Sequence, residues 1–212
     1  MAVNRSDRDQ ESNILKLRIV HLFCLSSLFI AACTPVKTLT THQYKLEGYS
    51  QQVSQKRLPY SLLISQPDAM VGYQSEQMMY IQKPYQLTAF SENAWVGTPA
   101  SMFYPLLVQS FQSSRAFKAI ASSPFADKVN YRLDTQILAM EQNFLKKPSV
   151  YVMTVKAVLT HVTNNQVLSS RVFTARVPCT QDSPYGGVLA ANKASTILTQ
   201  RIQSFVIGTI ED

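Results

Sequence analysis

Residues 129–137 read VNYRLDTQI, an alternation of apolar and polar side chains that has the period of a half-buried β-strand. Two further runs rich in β-branched residues follow at 150–160 and 167–177. The segment Thr163-Asn164-Asn165 between them has the residue types of a turn. The second half of the chain is therefore predicted to be β-rich.

Three short apolar runs in the first half also indicate strands, and Lys83-Pro84 indicates a hairpin between the last two. These runs are residues 60–65, 78–82 and 85–90. Thr98-Pro99 has the pattern of a helix N-terminus, and a second helix is expected after the loop that ends at Gly187. One more short strand is an option at 117–121.

The resulting order is roughly βββαββββα, which is typical of an α+β fold. We expect a single domain with a mostly antiparallel sheet of about six or seven strands, covered by two helices. No boundary between two domains is visible in the sequence.

The composition supports a folded domain and excludes several classes of protein. Of the 212 residues, 46% are hydrophobic and 16% are charged, so the chain has enough apolar residues for a core. A mean hydropathy of -0.04 and a single long apolar run exclude a protein with many membrane spans. The net charge is +7, but the basic residues are spread singly, with Lys56-Arg57 and Lys146-Lys147 as the adjacent pairs. This pattern gives no basis for nucleic-acid binding.

The N-terminal region predicts the cellular localisation of the protein. A basic leader precedes an uncharged apolar run at 19–32, which has the length of a signal-peptide core. The run ends in Ile30-Ala31-Ala32-Cys33, which resembles a bacterial lipobox. We expect residues 1–32 to be removed as a signal peptide and Cys33 to carry diacylglyceryl and N-acyl lipid. The alternative is an ordinary secretory signal or a short membrane anchor that happens to contain Cys33.

Residues 33–55 are rich in polar side chains and lack an apolar period, so we interpret them as a lipidated tether. The folded domain is expected at 56–212. Thr34 follows the lipidated cysteine, which by resemblance to enterobacterial sorting patterns favours the outer membrane, facing the periplasm. With Cys33 acylated, Cys179 is the one thiol left, so no intrachain disulfide can form.

A search for catalytic residues returns no convincing constellation. His42 and His161 are the histidines outside the signal peptide, and neither has the neighbours of a metal site or a nucleophile–base pair. Asp134 and Glu141 are seven residues apart, so strand alternation predicts that they lie on opposite faces. We therefore expect no cofactor, no metal and no enzymatic activity.

The aromatic residues suggest a binding surface instead. Tyr60, Tyr73, Tyr80, Tyr85 and Trp95 crowd the first half, and tyrosine and tryptophan often anchor protein interfaces. The candidate partner-binding residues are Tyr73, Tyr80, Tyr85 and Trp95. The alternative is that these side chains pack in the core and along strand edges.

Three segments, residues 57–69, 72–80 and 85–95, followed by the helix after Pro99, resemble the ABC-type transport auxiliary lipoprotein family. This family includes the PqiC-like intermembrane transport lipoproteins. The resemblance rests mainly on hydrophobic spacing together with a tyrosine and a tryptophan, and it extends over most of the predicted domain, from about residue 56 to 207. It departs from the family at Gln77, where many relatives have a basic residue.

The resemblance implies a non-enzymatic periplasmic component of a lipid transport system. Its partners would be a mammalian-cell-entry (MCE) domain protein and an ABC transporter of permease and ATPase subunits, with homo-oligomer formation as a further option. Three alternatives stay open. They are an assembly lipoprotein that plugs or chaperones an outer-membrane β-barrel, a periplasmic enzyme, and a module that itself holds a lipid tail.

Overall fold

Most of the alternating segment predicted at 129–137 forms the first part of a strand of 13 residues, Tyr131–Asn143. In the computed structural model, which describes residues 40–123 and 128–211, Tyr131, Leu133 and Ile137 point into the core. The strands are β1 (His42–Tyr44), β2 (Leu58–Ile64), β3 (Asp68–Ala69), β4 (Gln77–Lys83), β5 (Gln86–Trp95), β6 (Phe117–Ser122), β7 (Tyr131–Asn143), β8 (Val150–His161) and β9 (Gln166–Pro178). The helices are α1 (Pro99–Ser114) and α2 (Pro184–Glu211).

Strand β7 is the centre of the sheet. One of its edges pairs with β8, which pairs in turn with β9, and both pairings are antiparallel. The other edge of β7 receives β2, β3 and β4 one after another, each parallel to it. Beyond them, β6 lies parallel to β2, while β5 forms an antiparallel hairpin with β4 and carries β1 at its outer side.

The predicted α+β class is confirmed, with two differences of detail. The described residues form nine strands rather than six or seven, because β1 and β3 have only three and two residues and no visible period. The long pairings of β7, β8 and β9 are antiparallel as expected, whereas the short strands add five parallel pairings. The sheet is therefore mixed.

Both helices pack on the same face of this sheet. Helix α1 starts as predicted, since the Thr98 hydroxyl accepts a hydrogen bond of 3.3 Å from the Ser101 amide. The side chains of Phe103 and Phe111 in α1 are fully buried, and so are Leu198 and Ile202 in α2. The opposite face of the sheet, called here the open face, carries no helix of the described chain.

A β-bulge in β7 corrects one prediction. The register shifts between Ile137 and Ala139, so the alternation of faces changes at this point. Asp134 pairs with Val158 and Glu141 pairs with Val152, which places both acidic side chains on the open face rather than on opposite faces.

Residues 42–55, which were predicted as part of a tether, are instead bound to the domain. Strand β1 pairs with the end of β5, and Leu46 is buried. The Asn192 side chain accepts hydrogen bonds of 2.7 Å and 3.0 Å from the amides of Glu47 and Gly48. We call this stretch the strap. Its backbone amides are hydrogen-bonded by side chains of α2. The sequence of the strap has no apolar period, so it gave no sign of this contact. The folded domain therefore begins before residue 56, the boundary predicted from the sequence.

Candidate functional site

The β4–β5 hairpin ends in a two-residue turn made by Pro84 and Tyr85. Tyr85 has a φ of 66° and its side chain is fully exposed to solvent. Proline followed by a residue with positive φ is the pattern of a type II turn, in which glycine or asparagine normally takes the second place. A left-handed conformation costs a side-chain-bearing residue about 1–2 kcal/mol, so this tyrosine is held in an unfavourable conformation.

An exposed loop after β3 meets the same hairpin. Met70 and Val71 are both exposed, and Gly72 follows them with a φ of 98°. A Cβ atom built on Gly72 would lie 3.3 Å from Cδ2 of Leu87, so the loop lies directly against the first residues of β5. We call the exposed side chains of Met70, Val71, Tyr85 and Leu87 the tip surface.

Tyr73 connects this loop to the open face of the sheet. Its hydroxyl donates a hydrogen bond to the carboxylate of Glu141, and its amide donates to the carbonyl of Met70 over 2.9 Å. Burial, with the neighbouring Glu141 carboxylate as the next cause, raises the pKa of the Tyr73 phenol far above its ordinary value. The phenol therefore stays protonated at neutral pH and acts as a hydrogen-bond donor.

The structure divides the four predicted partner-binding residues. Tyr85 belongs to the tip surface, and Tyr73 lies half-buried beside it. Tyr80 faces the other side of the sheet, where its ring packs 4.4 Å from Phe90 and 6.0 Å from Phe144 between centroids. Trp95 is only 1% exposed, so it is a core residue and has no surface to offer a partner. The partner-binding role predicted for Trp95 is therefore wrong for the folded domain.

Sequence reasoning missed Met70, Val71 and Leu87. The pair Met70-Val71 stands between Asp68 and Gly72, where the turn-forming residues indicate a loop. Two adjacent apolar side chains in a loop were the available signal, because a loop on the surface offers them no burial.

The tip surface has the chemistry of a contact surface. It combines one large aromatic side chain with three aliphatic ones, and no carboxylate, histidine or thiol belongs to it. Within residues 40–123 and 128–211, no group of histidine, cysteine, aspartate and glutamate side chains could hold a metal ion. Cys179 is buried, and burial raises the pKa of its thiol, which lowers its reactivity.

A family model described as "ABC-type transport auxiliary lipoprotein component" matches residues 44–203. The chain belongs to the ABC-type transport auxiliary lipoprotein family. The match begins inside strand β1 and runs into helix α2, so the strap is part of the family domain. No curated protein sequence matches the chain.

Solved structures show the same fold at low sequence identity. Protein XCC0632 from Xanthomonas campestris, described as DUF330, has a TM-score of 0.73 at 19% identity, covering 80% of this chain and 96% of its own. An uncharacterized protein has a TM-score of 0.64 at 15% identity, covering 79% and 99%. Hypothetical protein CT253 from Chlamydia trachomatis has a TM-score of 0.50 at 9% identity, covering 72% and 98%.

Membership in the transport auxiliary lipoprotein family makes this chain a lipoprotein of a transport system in the bacterial cell envelope. The helices of the described part of the chain are not long and apolar enough to span a membrane. Cys33 and the proposed signal peptide lie outside the described residues.

Proposed function

We propose that this transport auxiliary lipoprotein is a non-enzymatic subunit of an ABC-driven lipid transport system, and that its tip surface docks on an MCE-domain protein. The main support for this docking surface is the conformation of Tyr85, which combines a positive φ with a fully exposed side chain. A bulky residue in a left-handed conformation makes the fold less stable than glycine would, and it buries no apolar area in return. Such a residue is better explained by a contact outside the domain than by the stability of the domain itself.

The composition of the tip surface supports a protein contact. Interfaces are anchored by a few large side chains near their centre, and tyrosine supplies contact area with only two side-chain torsions to order. Tyr85 has this role in the proposal. Met70, Val71 and Leu87 would surround it and exclude water from the contact, because each exposes aliphatic surface next to the hairpin tip.

The docking proposal is tested by affinity capture with the lipidated protein from envelope extracts. We expect an MCE-domain protein, together with the permease and ATPase, to copurify. Tyr85→Ala should weaken this binding by about 1–3 kcal/mol, since it removes the central anchor. Capture of a β-barrel in place of an MCE-domain protein would support the assembly-lipoprotein alternative and contradict the proposal.

Tyr185→Ala is the matched control. Tyr185 is another exposed tyrosine, and its ring lies 6.1 Å from that of Tyr44, at the end of β5 away from the tip. This variant should bind the partner like the wild type. Equal loss of binding in Tyr85→Ala and Tyr185→Ala would show that the tip surface has no special role.

The proposal also includes a lipid anchor on Cys33, with the domain facing the periplasm from the outer membrane. The support is the sequence Ile30-Ala31-Ala32-Cys33 after an apolar run of signal-peptide length. Metabolic labelling with a palmitate analogue should mark the wild type and leave Cys33→Ala unmarked. Label in the mutant would refute acylation at this residue, and fractionation of the labelled wild type distinguishes outer from inner membrane.

A further inference from the structure

The open face contains a cavity of about 200 Å³ beneath the loop that joins β7 to β8. The strand register explains its walls, because Val152 pairs with Arg176 of β9 and alternation places Val150 on the same face. The cavity is lined by Asn143, Leu145, Lys146, Val150, Val152 and Arg176.

Both basic side chains of this cavity lack an acidic partner. In the part of the chain that the structure describes, neither Lys146 nor Arg176 forms an ion pair. Glu141 accepts a hydrogen bond from Tyr73, and Asp182 accepts one of 2.7 Å from the Ser149 amide, so both carboxylates bind neutral donors and form no ion pair with Lys146 or Arg176. Two positive charges therefore face a cavity whose remaining walls are largely apolar.

We propose that this cavity binds the anionic head of an amphiphile, with a phosphate or carboxylate group between Lys146 and Arg176. A guanidinium offers a pair of donors that matches the two oxygens of such a group, and the lysine adds a second charge. The adjacent carbon atoms of the ligand would lie on Val150 and Val152, with Leu145 at the side.

The size of the cavity limits what it can hold. Pockets for drug-sized ligands have volumes of about 300–1,000 Å³, so 200 Å³ suits a head group and its first few carbon atoms rather than whole acyl chains. A free phosphate would use only the charged half of the cavity. Comparison of a free anion with an alkylated one therefore distinguishes the two sources of the same chemistry.

The test uses calorimetric titration of the full chain in a neutral maltoside detergent, with no partner protein present. The probes are hexyl phosphate, inorganic phosphate and the uncharged hexyl glucoside. We expect hexyl phosphate to bind on the order of tenfold more tightly than inorganic phosphate, and hexyl glucoside not to bind, since the site needs both the charge and the alkyl chain.

Variants locate the binding in the cavity. The double variant Lys146→Gln/Arg176→Gln should lower the affinity for hexyl phosphate on the order of tenfold or more, since it removes both charges. Lys156→Gln is the matched control, because Lys156 is an exposed cation on the same strand β8 outside the cavity. This control should retain affinity within about twofold, as expected for a screened surface charge at a distance.

The two side chains that the double variant replaces, Lys146 and Arg176, are exposed, so its melting temperature should match that of the wild type. A second variant, Val152→Phe, fills the cavity while keeping the charges, and should reduce binding of hexyl phosphate more than binding of inorganic phosphate.

Two outcomes would contradict the proposal. Equal affinity of Lys156→Gln and the double variant for hexyl phosphate would overturn the site. Equal affinity for the two phosphates in the wild type would overturn its assignment to an amphiphile. Neither result bears on docking to an MCE-domain protein.

Discussion

The two faces of strand β8 differ sharply. On the helix side, Met153, Val155, Ala157 and Leu159 are fully buried against α2 and its neighbours. On the open face, the residues between them are half-buried or exposed, and they include Lys156. The helix side is thus specified by packing, whereas the open face keeps apolar side chains that the domain itself does not cover. The difference separates residues that hold the fold from residues available for binding.

The largest expected effect is on the helix side. Phe103→Ala should lower the free energy of unfolding by about 3–5 kcal/mol, because a fully buried ring leaves a cavity that the surrounding side chains cannot fill. Val172→Ala, on an exposed valine of β9, should change it by less than about 0.5 kcal/mol. Urea unfolding followed by circular dichroism measures both. Similar losses in the two variants would mean that the open face is packed as tightly as the core.

The sequence predicted most of this fold for a clear physical reason. The alternation at 131–137 and the N-cap at Thr98 are local signals, and both were confirmed. The strands β1 and β3 were missed because each is defined by its partner strand rather than by its own residues. The strap was missed for the same reason, since its hydrogen bonds end on side chains of α2 about 145 positions later in the chain.

The next effect concerns the strap. Asn192→Ala should lower the free energy of unfolding by about 1–3 kcal/mol, because it leaves the amides of Glu47 and Gly48 without their acceptor. Hydrogen exchange should become faster at 45–52 in particular. Lys193→Ala, an exposed neighbour on the same helix, is the control and should alter neither measurement. Unchanged exchange at 45–52 in Asn192→Ala would contradict the docking of the strap on α2.

A smaller effect is expected at the edge of the open face. Tyr73→Phe removes the hydrogen bond to Glu141 and should cost about 1 kcal/mol near neutral pH. The fold raises the phenol pKa of Tyr73, so the folded state holds this proton more tightly than the unfolded state. The associated stability is fully present below the ordinary tyrosine pKa of about 10 and is lost as the pH rises above it.

Chemical denaturation at a series of pH values checks this dependence. The wild type should lose more stability than Tyr73→Phe between about pH 9 and pH 11.5, where an unfolded tyrosine ionises. Burial also raises the pKa of Tyr151, with Tyr73 as the last of its causes, so the difference between the two proteins reports on Tyr73 and its effect on Tyr151. Parallel pH curves for the two proteins would show that the phenol of Tyr73 is not coupled to folding.

The candidate site was predictable only in part. Aromatic content pointed to the segment from Tyr73 to Trp95, yet burial within that segment depends on strand register and on the turn. Trp95 pairs with Tyr44 of β1, a strand that the sequence did not reveal, and this pairing helps to enclose its ring. Tyr85 became recognisable as a surface residue only through the position of the hairpin turn next to Pro84.

The smallest expected effect on stability has the opposite sign. Tyr85→Gly should leave the free energy of unfolding unchanged or raise it by up to about 1 kcal/mol, because glycine adopts a positive φ without the clash that a Cβ atom creates. The gain is limited because glycine also has more freedom to lose on folding.

The same variant, Tyr85→Gly, should bind the partner less well, since the exposed ring is gone. Urea unfolding and partner affinity, measured on one preparation, test the two halves together. A clear loss of stability would show that the ring packs on the domain, and unchanged partner binding would show that the tip surface is not the contact.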